Sequence, residues 1–165
     1  MPENIHYPLL LTFRDAISGN GFLAGVTLYG RALMVSEDDK WWMYGVRPGS
    51  IVESGNTPQE TFSSFRERFR LTMFDIAEES ANFEEFRASV ESFYAQPDSF
   101  EENRWEEAFK AIRTGSVSPE APFSNLKKMT PEAAPTGISV QRLDSERRFS
   151  ATDNVSDTYM LPIAA

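Results

Sequence analysis

A phenylalanine stripe set behind a capping box constrains this chain more than any other feature. From Thr57 the sequence reads TPQETFSSFRERFRLTMFDIA. Thr57 is placed to cap a helix, with Pro58 at the first helical position and Glu60 three residues past the cap. That is a capping box, and the missing N–H of a first-turn proline is no loss. Phe62, Phe65, Phe69, Met73 and Ile76 then recur at steps of three and four. They fall on one face of an α-helix, with Arg66, Glu67, Arg68 and Arg70 on the rest. So aromatic a stripe needs a second layer to bury it.

The residues just ahead supply one. Ala32–Val35 is an apolar run, Ser36–Lys40 is a polar turn, and Trp41, Trp42, Met43 and Tyr44 are strand formers, which together read as a hairpin. Gly45, Pro48 and Gly49 turn the chain, and Ile51-Val52 is a further short strand closed by Ser54-Gly55. Upstream, Tyr7–Asp15 alternates as a half-buried strand does. Ser18–Gly21 is a turn signature, and Gly21–Tyr29 a second strand that continues through Gly30 and Arg31 as one long bent strand. The expected class is α+β: an antiparallel sheet of about four strands with the amphipathic helix on one face.

Two more helices and a C-terminal arm follow. Asn82 with Glu85 caps a helix whose apolar face is Phe83, Phe86, Val90 and Phe93. Pro97 ends it, Ser99 with Glu102 forms another capping box, and Trp105, Ala108, Phe109 and Ile112 share a face before Gly115. The second face of the sheet is left for these helices or the tail to cover. Residues 116–137 are rich in Pro, Ser, Thr and Ala, Ile138–Phe149 has room for a strand, and Tyr159–Ile163 is a short apolar end suited to docking. Residues 1–115 are thus expected to be a single α+β domain with a helical extension, and 116–165 a linker and arm.

The residues bearing chemistry are few. The chain has no cysteine, which removes disulfides and thiolate metal sites and fits a reducing cytoplasm, the expected location. His6 is the one histidine, with no Ser or Asp pattern around it. Gly19-Asn20-Gly21 lacks the lysine and helix of a phosphate loop, and no zinc spacing occurs. The first ten residues lack the basic stretch of a signal peptide, and no segment approaches a membrane span. Asp15, Glu37, Asp38, Asp39, Glu53 and Asp75 are the carboxylates with which metal chemistry would have to work, yet no spacing among them forces convergence. No catalytic, cofactor or metal residue is therefore assigned.

Charge and aromatics point to binding. The net charge is −9; residues 1–115 carry 11 basic and 19 acidic residues, and residues 116–165 carry 5 and 6. Such a balance argues against an extended nucleic-acid surface and suits a basic protein partner. Arg142, Arg147 and Arg148 follow a strand-like stretch, but no helix pair of a DNA-binding module follows them. Trp41, Trp42, Tyr44 and Arg47 have the composition of contact hot spots, and Tyr159 and Leu161 are the corresponding candidates in the tail. Alternation along a strand sends Trp41 and Trp42 to opposite faces, so one of them lies off the helix-packed side.

The order of strand, acidic turn, aromatic strand, proline–glycine corner and capped helix resembles the HicB-like antitoxin family. The residues that carry the likeness are Asp38, Asp39, Trp41, Trp42, Pro48, Gly49, Gly55, Thr57, Pro58 and Glu60, within residues 32–77. Thr61 stands where the family has a second acidic residue, and Phe62 where it usually has alanine. The resemblance implies a non-catalytic protein that occludes a small basic RNA-cleaving toxin of double-stranded-RNA-binding-like fold, and that self-associates. The alternative is a stand-alone oligomeric interaction protein of the same fold with no toxin.

Overall fold

The computed structural model describes residues 6–96, 98–115 and 137–144, and the backbone of 159–162. The elements are β1 (His6–Gly19), β2 (Phe22–Glu37), β3 (Lys40–Arg47), β4 (Val52–Gly55), α1 (Pro58–Glu79), α2 (Phe83–Tyr94), α3 (Ser99–Arg113), β5 (Gly137–Arg142) and β6 (Tyr159–Pro162). All strands join one antiparallel sheet in the order β4-β3-β2-β1-β6, with β5 also on β2. The four strands ahead of α1 form as the alternation implies. The sheet has six strands rather than about four, because both apolar stretches of the C-terminal part add to it.

A long hairpin is the spine. β1 and β2 pair without a break from His6↔Val35 to Gly19↔Phe22, so β2 is one continuous strand. Its other edge is shared: Ala24–Tyr29 pairs with β5, and Arg31–Glu37 with β3. The handover is at Gly30, where a Cβ would collide with the Arg47 carbonyl oxygen. The β2–β3 turn is tighter than the five polar residues suggest. Its loop is Asp38-Asp39, both left-handed with φ of 52° and 61°. A two-residue loop of that hand matches the twist of the strands it joins, and aspartate tolerates the conformation better than most residues.

The helices divide between the two faces. Phe65, Phe69, Met73 and Ala77 of α1 are buried against Leu9, Leu11, Phe13, Val26, Met34 and Met43, with Phe62 and Ile76 at the margin. The Phe69 ring lies 4.6 Å from that of Phe13. α2 packs beside α1 on this same face through Phe83, Phe86, Val90 and Tyr94. Among the described helices only α3 reaches the opposite face, where Trp105, Ala108 and Phe109 cover Leu10, Leu33, Val35 and Val46. The second face is therefore covered by one of the two later helices, not both. The reason is the short α1–α2 connection: Asn20 Nδ2 donates to the carbonyls of Glu78 and Ser80 at 3.2 and 2.9 Å, holding that turn against the hairpin end. Between α2 and α3 the chain changes faces, with Gly49 N–H donating to the Gln96 carbonyl and Asp98 N–H to that of Val46, each at 3.1 Å.

The caps at Thr57 and Asn82 are as the sequence indicates, accepting from Glu60 and Glu85. The third cap is Asp98, one residue before the Ser99–Glu102 box, with its carboxylate accepting from Phe100 and Glu101 at 3.0 and 3.1 Å. A carboxylate that satisfies two N–H groups and meets the positive end of the helix outcompetes a serine hydroxyl.

Candidate protein-binding surface

Strand alternation separates the two tryptophans. Trp41 turns to the α1 side, stacks on Tyr7 at 6.2 Å and packs against the larger core. Trp42 and Tyr44 turn to the α3 side with ring centres 6.4 Å apart. Across the ladder Tyr44 faces Val52, which is 45% exposed. From the first turn of α3 comes Phe100, 68% exposed. Arg104 joins the groups: its guanidinium lies 5.3 Å from the Tyr44 ring and 5.6 Å from that of Phe100. Its Nη1 alone donates to both carboxylate oxygens of Glu101 at 3.0 Å, and Nη2 lies 3.4 Å from His6 Nε2.

Of the six sequence-derived contact residues, Trp42 and Tyr44 are brought together. Trp41 is a packing residue, and exposed Arg47 points the other way, over the Tyr94 ring at 5.8 Å. Tyr159 and Leu161 fall in β6, of which the backbone alone is described. Sequence reasoning missed Phe100 and Arg104. The available signal was position: Phe100 is about 140° round the helix from Trp105, off the buried stripe.

The electrostatics of the surface are set by burial and by its acids. Glu101 is 7% exposed, and desolvation pushes its carboxyl above the usual range despite the Arg104 hydrogen bonds. Burial, then Arg104, pushes the His6 imidazole down, against the pull of Glu37 and Glu107. Burial, then Glu37, raises the Tyr44 phenol. The lowered His6 has a definite sign. The unfolded chain takes up the proton first, so stability present above the ordinary imidazole range is lost as pH falls through it. Between about pH 7.5 and about pH 5.5, the urea midpoint of the native chain should fall relative to that of His6→Asn. Equal pH slopes for the two would remove His6 from the account. Glu101, raised instead, acts with opposite sign: its contribution is regained as pH falls toward the carboxylate range.

The other candidate carboxylates are dispersed. Asp15 is buried and paired with Arg70 Nε at 3.2 Å, and Glu53 with Arg68 at 2.8 Å. Asp38 and Asp39 sit at the hairpin tip, and Asp75 is exposed on α1. Among the described residues, no three His, Asp or Glu side chains converge, and no helix is long and apolar enough to cross a membrane. A groove of about 680 Å³ runs along the C-terminal half of α3, lined by Arg31, Glu106, Phe109, Lys110 and Arg113. Its floor is already engaged, since Arg31 lies 4.3 Å over the Trp105 ring and 3.3 Å from Glu106. The chain matches no family model, no curated protein and no solved structure.

Proposed function

We propose that this chain is a non-catalytic, antitoxin-type protein-binding module that acts in the cytoplasm and holds a small basic protein on the surface around Arg104. The observation that supports this most is the grouping of exposed Phe100 and Val52 with half-buried Trp42 and Tyr44 at the margin of the second core, with Glu37, Glu101 and Glu107 around them. Rigid aromatic side chains supply contact energy at low entropic cost, and a rim of like charge steers a partner of opposite sign. Arg104 is neutralised by Glu101, so the field there belongs to the remaining acids. The likeness of residues 32–77 to HicB-like antitoxins supplies the partner class, a basic RNA-cleaving toxin. The second reading, a stand-alone oligomer, draws on β5 and β6, which the C-terminal part lends to the sheet.

The test is capture from the native host followed by affinity measurement on the recovered partner. A basic protein released by added salt is expected. Trp42→Ala and Tyr44→Ala should each weaken binding by ~30-fold, about 2 kcal/mol, as hot-spot truncations do. Leu71→Ala, on the exposed side of α1, should leave binding unchanged. A partner held equally by Trp42→Ala and Tyr44→Ala would remove this surface from the reading.

A further inference from the structure

The outer edge of β1 is protected unevenly. β1 has 14 residues, and β6 lies against four of them, Leu9–Thr12. On one side of this window stands Pro8, which has no backbone N–H to offer a neighbour. On the other side Arg14 is exposed, and Asp15 points inward, buried and tied to Arg70. An inward charge on an edge strand opposes the docking of another strand. Between them Leu9, Leu10 and Leu11 are apolar, with Leu9 and Leu11 in one core and Leu10 in the other. The window carries no charge, proline or bulge. Left bare, such a row of main-chain groups is a template for pairing.

We propose that β6 is a removable cover over Leu9–Thr12, and that once lifted it lets β1 of one copy pair antiparallel with β1 of a second copy. The second copy is the fitting occupant because it presents the same window. Pro8 and Asp15 confine the ladder to Leu9–Arg14 on both sides, and because opposite residues of an antiparallel pair share a face, a two-fold axis normal to the sheet sets Leu11 of one copy opposite Leu11 of the other, with Leu10 opposite Thr12. The backbone ladder of the cover is short. It makes four residue pairs, the last through Pro162, which cannot donate to Leu9. The window is at the far side of the strand order from β4 and the Tyr44 surface. This inference stands or falls independently of any toxin.

The test uses the full chain with Met160→Pro and Leu161→Pro made singly. Adjacent strand residues direct their N–H groups to opposite edges, so one of the two removes a donor facing β1. Sedimentation at about 100 µM should show a twofold rise in mass over the native chain for that variant. Adding Thr12→Lys should reverse the rise, because an edge lysine blocks strand pairing. Hydrogen exchange on the native chain needs no substitution. The window amides that face β6 should exchange by local opening, well before those facing β2. Native mass in both folded proline variants would overturn the proposal. So would association indifferent to Thr12→Lys, or window amides that exchange only on global unfolding.

Discussion

Trp105→Ala should detach α3 while leaving the rest of the sheet assembled. The indole is fully buried, its Nε1–H donates to the Leu9 carbonyl at 3.2 Å, and its ring stacks on Phe109 at 5.7 Å. Arg31 closes over it at 4.3 Å. Large-to-small truncation at such a site costs about 3–5 kcal/mol. The second core is small, consisting of Leu10, Leu33, Val35, Val46, Trp105, Ala108 and Phe109 with Tyr44 at its margin. The loss is therefore large against the described apolar contacts of the helix. Urea unfolding should gain an early phase, and α3 amides should lose protection while those of β1 and β2 keep theirs. On the proposed binding role, partner affinity should fall with it, because α3 carries Phe100 and Arg104. A single cooperative transition, lowered by under about 1 kcal/mol, would show that α3 is held by something else.

Phe69→Ala should act on the whole molecule. Phe69 is 1% exposed, with ring centres 4.6 Å from Phe13, 6.5 Å from Phe65 and 6.0 Å from Phe93. It thus joins β1, α1 and α2 in a single contact. The expected loss is again about 3–5 kcal/mol, against a total of about 5–15 kcal/mol for a domain. Here the transition should stay cooperative and simply move to lower denaturant with an unchanged m-value. The contrast between the variants separates a core that defines the fold from one that docks a single helix. If Phe69→Ala unfolded in two phases, the α1–α2 layer would be a separate cooperative unit.

What could be read in the chain was local. The α1 stripe, its Thr57 cap and Pro58 are all settled within a few residues; the structure keeps the cap, Pro58 and the centre of the stripe at Phe65, Phe69 and Met73, while Thr61 and Ala77 are buried at its ends and Phe62 and Ile76 lie at the margin. The hairpins too follow from alternation and turn residues, although Asp38-Asp39 forms a tighter loop than five polar residues suggest. The aromatic grouping around Arg104 was legible in part. Composition picked out Trp42 and Tyr44, but it could not separate them from Trp41, because alternation gives opposite faces without saying which face is covered. Phe100 was passed over because it lies outside the stripe of its own helix. That displacement is what leaves it exposed.

By itself, then, the sequence determined the class, the four strands ahead of α1, the three helices and most of their caps. These depend on period, backbone φ and side-chain hydrogen bonds spanning three or four positions. Only the tertiary structure decided that α2 stays with α1 while α3 takes the other face, that β2 divides its edge at Gly30, and that β6 covers Leu9–Thr12. Those outcomes rest on contacts between residues far apart in the chain, such as Asn20 with Ser80, Asp98 with Val46 and Gly30 with Arg47. No short-range pattern encodes such contacts; they are selected when the layers close together and each buried polar group must find a partner.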